Sequence, residues 1–179
     1  MGRLPISADT YLRLLEESDA GELDRLVDAN REYLALWLPW AARQTFDETR
    51  TFIARTREQV LRNDGFQGAI VREEQIVGVV GFHGLDWANR SASIGYWLSE
   101  GGQGRGTMTA AVRMLTEHAI SGWELNRVEI QAAVENRRSR AIPKRLGFRE
   151  EGTMRQAERV GDRYLDSVVY SMLADDWDR

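Results

Sequence analysis

Four glycines, Gly101, Gly102, Gly104 and Gly106, stand within six residues directly ahead of a segment, 107–120, whose apolar spacing is helical. No proline interrupts Gly101 to Met108, so every backbone N–H there can donate. A helix start leaves several N–H groups unpaired and carries a partial positive charge, which together suit a phosphate. Glycines without Cβ atoms let an anion come close. The spacing fits neither nucleotide motif. A P-loop ends in Gly-Lys-Ser/Thr, and a dinucleotide fingerprint places G-x-G-x-x-G after a first strand. A bare cluster of this kind also serves as a flexible strand-to-helix turn, so the glycines alone leave both readings open.

Other chemistry is narrowed by what the chain lacks. It has no cysteine, hence no disulfide, thiolate metal site or cysteine nucleophile, and its two histidines, His83 and His118, are too few for an ordinary metal site. Carboxylates, hydroxyls and backbone groups remain. With 24 Lys plus Arg against 28 Asp plus Glu the net charge is -4, so no global basic field exists for a nucleic-acid backbone. No apolar run approaches the roughly 20 residues that cross a bilayer, and the N-terminus lacks a long apolar segment after its basic residue. We expect a soluble cytoplasmic protein with neither nucleic acid nor membrane as partner.

The elements that position the glycine cluster follow from the patterning. The 179 residues, 42% hydrophobic and 29% charged, suffice for one domain with a real core. Residues 10–15 alternate as a first strand. From Leu23 apolar residues recur at helical spacing until Leu38-Pro39 stops them. Thr45 and Glu48 have capping-box spacing at the start of a second helix, which ends at Asn63-Asp64-Gly65. Runs 66–72 and 75–85, joined by the polar pair Glu73-Glu74, predict a hairpin, and 91–99 a third strand. After the glycines come the helix 107–120, a strand at 127–134, a short helix at 139–146 and a closing strand at 164–173. No repeat or low-complexity linker appears. The order predicts a single α/β domain over 1–179, built on one mixed sheet.

The order Gln103-Gly104-Arg105-Gly106-Thr107-Met108, preceded by Ile94-Gly95-Tyr96-Trp97-Leu98, resembles the acyl-CoA loop of the GNAT acetyltransferases. Met108 departs from the small residue usual at the last position, so its side chain must point away from the pyrophosphate while its N–H serves. The resemblance extends over nearly the whole chain to the Rim-type ribosomal-protein N-terminal serine/alanine acetyltransferases. It is carried by the Trp37-Leu38-Pro39-Trp40 run, Asn136, Ser139, Leu146-Gly147-Phe148, Glu151-Gly152 and Asp166. It implies a single GNAT-like domain, with a mostly antiparallel mixed sheet flanked by helices and strands splayed at the acyl-CoA site. It further implies a homodimer that uses acetyl-CoA and no metal. Gln103, Gly104, Arg105, Gly106, Thr107, Met108, Asn136 and Ser139 would contact that co-substrate, and free backbone groups of Tyr96, Trp97 and Leu98 would pair with its pantetheine arm.

Acetyl transfer to an amine needs a neutral amine attacking a thioester, a stabilised oxyanion and a proton for the departing thiolate. Many GNAT enzymes place a tyrosine about seven residues beyond the position of Asn136, where this chain has Pro143. The resemblance leaves Ser139 as the hydroxyl near the cofactor sulfur; a helix N-cap is its other reading. It makes Glu158 the base, against an ion pair with Arg155 or Arg159. His83 competes as base, since its ordinary pKa lies near neutrality, or serves only as hydrogen-bonded structure. The five cations in 136–145 suit the 3′-phosphate of CoA or a solvated helix face, and Trp37 and Trp40 suit an acceptor groove or the core. The expected reaction is direct acetyl transfer to a primary amine, a protein N-terminal α-amine by resemblance. A small amine such as a polyamine, amino acid or aminoglycoside, or a non-catalytic acyl-CoA-binding module, stands as the alternative.

Overall fold

In a computed structural model, which describes residues 2–177, the chain forms a mixed sheet of eight strands flanked by helices. The strands are β1 (Leu4–Pro5), β2 (Thr10–Leu14), β3 (Gln67–Arg72), β4 (Gln75–Asp86), β5 (Ser91–Leu98), β6 (Arg127–Ala133), β7 (Arg149–Val160) and β8 (Arg163–Leu173). Their order across the sheet is β1-β2-β3-β4-β5-β6-β8-β7. The chain divides into two compact units, one running to Gly81 and including Tyr96–Thr107, the other comprising Phe82–Gly95 and the chain from Met108 onward.

In the first unit β1, β2, β3 and β4 pair antiparallel in sequence. The hairpin between β3 and β4 turns on Glu73 and Glu74 at φ 49° and 60°, the left-handed pair that a two-residue hairpin requires. All six residues of β3 are buried, so both faces of that strand are covered. Leu15, Leu23, Ile53, Ala69, Val71, Ile76 and Val79 form the core, with Tyr11, Leu26, Phe52 and Trp97 packed against it. Helix α1 (Ala20–Ala29) and helix α3 (Phe46–Leu61) supply Leu23 and Ile53 to that core. Thr45 and Glu48 cap α3 reciprocally, as their spacing predicts. The single helix expected from Leu23 to Leu38 instead breaks at Asn30, and α2 (Arg31–Leu34) follows. Asn30 leaves helical geometry at φ -117°, and its Nδ2 donates to the Leu26 carbonyl at 2.8 Å.

In the second unit β5 and β6 run parallel over Ser91–Ser93 and Arg127–Glu129, a pairing that needs a crossover, here α4 (Thr107–Glu117). A π-type turn, His118–Gly122, ends α4. Helix α5 (Arg137–Arg145) begins two residues before the expected start and holds Pro143 inside it. It closes on Gly147 at φ 81°, with the Phe148 N–H donating to the Pro143 carbonyl at 3.0 Å and that of Gly147 to Lys144 at 3.3 Å. This is a Schellman closure whose flanking Leu146 and Phe148 are buried, which accounts for the Leu-Gly-Phe triplet. Between the short helix ending at 146 and residue 164 the sequence pattern offers no strand, yet β7 pairs with β8 along most of its length. Its residues are exposed except Val160, so no apolar alternation marks it. Two register shifts interrupt the ladder, between Glu150 and Gly152 and between Met154 and Glu158. Short helix α6 (Ala174–Trp177) ends the described chain.

Candidate functional site

The loop after β5 uses its glycines in two ways. Ser99 opens a 3-10 turn, Glu100–Gly102, its Oγ accepting from the Gly102 N–H at 3.2 Å. Gly102 is buried, and a Cβ there would lie 3.0 Å from Ser99 Oγ and 3.1 Å from the Val77 carbonyl. Gly104 and Gly106 face open space, where no atom lies within 4 Å of an added Cβ, and their φ angles are 83° and 74°. Packing fixes Gly102, and backbone conformation fixes Gly104 and Gly106. Helix α4 then begins at Thr107, offering its first N–H groups next to exposed Gly104, Arg105 and Gly106. Met108 is 5% exposed: its side chain is turned into the protein, as its departure from the motif requires.

Three side chains of the first unit hold this loop. Asn30 Oδ1, freed by the helix break, accepts from the Glu100 N–H at 2.9 Å. Gln103, the first residue of the motif, donates from Nε2 to the Tyr33 hydroxyl at 2.7 Å. Arg72 Nη2 donates to the Gly102 carbonyl at 3.3 Å and to Thr107 Oγ1. The strand leading in is also held close, because Gly78 of β4 would bring a Cβ to 2.3 Å from the Trp97 carbonyl and 2.9 Å from Leu98 Cα. Trp97 sends its side chain to the core and meets the Trp40 ring at 6.0 Å, tilted by 59°, leaving Tyr96 and Leu98 on the other face of the strand. Trp40 is 39% exposed and Trp37 half-buried, so neither is a core residue. Asn30, Tyr33 and Arg72 carry no motif; their only trace in the sequence is the charge that closes the buried strand Phe66–Arg72.

In the second unit Asn136 and Ser139 come together at the start of α5. Asn136 is the N-cap, its Oδ1 accepting from the Ser139 N–H at 3.1 Å. The N-cap reading of Ser139 is thereby corrected: the serine is the third residue of the helix and half-buried, and the asparagine three positions earlier does the capping. Of the five cations in this segment, Arg140 donates to the Tyr170 hydroxyl at 2.9 Å and the Val134 carbonyl at 2.9 Å, and Lys144 pairs with Glu150 at 3.1 Å. The Tyr170 hydrogen bond, with Glu150 beyond it, holds the Arg140 pKa above its ordinary value. Arg137 and Arg145 are exposed.

Glu158 lies on β7 opposite Leu165, with its side chain exposed. Gln156, at φ 50°, shapes the bulge just before it, and the Gln156 N–H donates to Asp166 Oδ1 at 2.7 Å. The alternative ion pair is not made among the described residues. Arg159 turns instead to the Gly161 carbonyl at 3.1 Å and to Asp162 at 3.8 Å. Glu151 forms the ion pair of this region, receiving two hydrogen bonds of 2.7 Å from Arg127 and one of 2.6 Å from Ser171. Those bonds hold its carboxyl at about 2. His83 stands within β4, its ring against Gly95, where a Cβ would lie 2.5 Å from Nε2. Neighbouring atoms crowd the imidazole although part of it reaches solvent, and this desolvation lowers its pKa, keeping it neutral near pH 7. No group of three His, Cys, Asp or Glu among the described residues is placed to hold a metal ion.

The chain is similar to known proteins in sequence and fold. The sequence profile of the Acetyltransferase (GNAT) domain family matches residues 9–149. The putative ribosomal N-acetyltransferase YdaF of Bacillus subtilis (strain 168) is 39% identical over 169 residues, covering 93% of this chain and 92% of the relative. The ribosomal-protein-serine acetyltransferase of Escherichia coli (strain K12) is 30% identical over 173 residues, covering 96% and 97%. Among solved structures, RimL, a ribosomal L7/L12 α-N-protein acetyltransferase in complex with coenzyme A, superposes with a TM-score of 0.92 at 30% identity, covering 98% of this chain and 99% of that one. The glycine loop at the start of α4, the strand order and these full-length likenesses agree: the chain belongs to the GNAT family of N-acetyltransferases.

Proposed function

We propose that this protein transfers the acetyl group of acetyl-CoA to the N-terminal α-amine of a ribosomal protein. One observation carries the reading: relatives at 39% and 30% identity, matched over more than nine-tenths of the chain, are named as ribosomal acetyltransferases. In this reading the N–H groups of residues 104–108 receive the diphosphate, and the backbone of Tyr96, Trp97 and Leu98 lines the pantetheine arm. Asn136 and Ser139 border the thioester end, and the exposed Arg137 and Arg145 serve the 3′-phosphate. The free amine attacks the thioester carbonyl, the N–C bond forms and the tetrahedral intermediate expels the thiolate. Glu158 accepts the proton shed by the amine, directly or through water, and Ser139 stabilises the departing thiolate or donates its proton to it, being reprotonated from water as Glu158 releases its own. The products are the N-acetylated chain and CoA as its thiol.

The deciding measurement is the intact mass of a mixed acceptor panel after incubation with the enzyme and acetyl-CoA. The panel holds peptides with serine or alanine N-termini from ribosomal proteins, polyamines, amino acids and aminoglycosides. A gain of one acetyl group on the peptide α-amine supports the proposal. Acetylation confined to a small amine refutes the acceptor, and binding of acetyl-CoA with no transfer refutes the catalysis.

A further inference from the structure

Arg72 ends a strand that is buried throughout and is itself 7% exposed. All the acceptors of its guanidinium are neutral: Thr10 Oγ1 at 3.4 Å from Nε, and the Gly102 carbonyl and Thr107 Oγ1 from Nη2. Among the described residues no carboxylate lies within ion-pair distance of it. Asp9, whose pKa is lowered mainly by hydrogen bonds from Ser7 and Thr10 and, to a smaller extent, by the charge of Arg72, is joined to Arg72 by hydrogen bonds only through the Thr10 hydroxyl. Elsewhere in the same unit a partly buried arginine is handled differently. Arg13 is paired two-pronged with Asp19 at 2.6 and 2.7 Å.

A buried cation with no carboxylate in direct contact is costly, and this one also sits at the positive end of α4, where a like charge is unfavourable. Both penalties fall if an anion rests on the amides that follow. The two hydrogen bonds from one Nη2 also join Gly102 to Thr107, the two ends of the loop whose middle glycines stand in the left-handed region. A lysine would carry the same charge on a single nitrogen and lacks the planar fork by which Nε reaches Thr10 while Nη2 serves the loop.

We propose that Arg72 is the positioning residue of the glycine loop, and that its buried charge, which the protein meets only at a distance with Asp9, is neutralised by the diphosphate of the co-substrate. The inference rests on the acetyl-CoA reading above. It makes Arg72 a contributor, beside the loop N–H groups, to the preference for a thioester that carries a diphosphate over one that does not.

The test compares wild type, Arg72→Met and Arg72→Lys in titration calorimetry with acetyl-CoA, and in kcat/KM for acetyl-CoA against acetylpantetheine, which has the thioester and no diphosphate. For Arg72→Met the acetyl-CoA Kd should rise roughly 10- to 100-fold, as for an interaction transmitted through one intervening element. The preference for acetyl-CoA over acetylpantetheine should fall by the same factor, with most of the loss in KM. Arg72→Lys should recover part of both. Loss of the buried charge should leave the melting temperature without ligand unchanged or raised, and shrink the rise that acetyl-CoA produces. A merely structural arginine predicts equal losses with both thioesters and an unchanged preference, and that outcome overturns the proposal even if Arg72→Met folds poorly, because Arg72→Lys reads the same ratio. An unchanged Kd in Arg72→Met also overturns it. Failure of wild type to bind acetyl-CoA overturns the underlying reading instead.

Discussion

Replacing Gly101 and Gly104 by alanine, one at a time, separates the two jobs a loop glycine can do. Both positions face open space, with no atom within 4 Å of an added Cβ, so neither variant carries a packing penalty. They differ in backbone: Gly104 has φ 83°, whereas Gly101 is not in the left-handed region. Alanine at Gly104 should therefore cost about 1–2 kcal/mol of stability, the price of the left-handed conformation for an L residue. Alanine at Gly101 should instead stabilise by about 0.4–1 kcal/mol, because it narrows the unfolded ensemble without straining the fold. For a chain of this length about 1 kcal/mol moves the melting temperature by about 2–4 °C. The Gly104 variant should then melt about 2–8 °C below wild type, and the Gly101 variant slightly above it. Affinity for acetyl-CoA should follow the same division. A Cβ on Gly104 projects into the open side of the loop, and loss of one hydrogen bond to a charged phosphate, about 1.5–3 kcal/mol, weakens binding about 10- to 100-fold. Gly101→Ala should bind within about twofold of wild type, the ordinary scale for a surface change away from such contacts. Calorimetric melting and titration of the same preparations read both quantities. Equal melting temperatures and equal affinities for the two variants would refute the assignment of backbone conformation and anion approach to Gly104.

Glu158→Gln keeps size and hydrogen-bonding shape but loses the proton acceptor, so transfer near pH 7 should fall by about 10²- to 10⁴-fold, with acetyl-CoA affinity unchanged. The rate should recover partly as pH rises past the α-amine pKa of about 8; a wild-type rate at every pH, with His83→Gln inactive, would move the base to His83. Because Asn136 holds the cap of α5, Ser139→Ala should keep stability within about 0.5 kcal/mol while lowering turnover, whereas Asn136→Ala should cost about 1 kcal/mol. A destabilised Ser139→Ala with normal turnover per folded molecule would reverse those roles. Glu151, held at about 2 against an ordinary 4.5, is favoured ionised by folding, so its contribution is complete above about 4.5 and is lost as pH falls towards 2. Glu151→Gln should lower the melting temperature at pH 7, by no more than about 1 kcal/mol equivalent because solvent screens the pair, and the difference should close near pH 2; a difference independent of pH would show that the charge is not what Glu151 contributes.

The parts of the fold legible in the sequence are those whose causes are local. Helix α3 announces itself because Thr45 and Glu48 cap it from within one turn. The β3–β4 hairpin is legible because apolar β-branched runs flank two polar residues, although its left-handed turn is made by Glu73 and Glu74 rather than by the usual asparagine and glycine. Strand β7 is illegible for the opposite reason. Its side chains meet water, and what makes it a strand is the ladder to β8 and the bonds of Glu151 to Arg127 and Ser171, which periodicity does not report. The break at Asn30 is hidden in the same way, since the amide it serves belongs to Glu100, seventy positions on.

The same division runs through the candidate site. Diphosphate recognition by main-chain N–H groups needs no particular side chain, but it does need residues that can take φ values near 80° with nothing projecting outward, and glycine answers that need visibly. The backbone conformation of Gly104 and Gly106 that the proposed diphosphate site needs is therefore written in the residue types themselves. Holding such a loop in shape is a different demand, met from α1–α2 and β3 by Asn30, Tyr33 and Arg72, each chosen by where the fold brings it. Met108 shows both at once: its amide belongs to the helix start and its side chain to the interior, so a bulky residue stands at a motif position usually small. A backbone donor leaves the side chain at its own position free to pack, which is how Met108 can offer its amide at the helix start and fill the interior with its side chain.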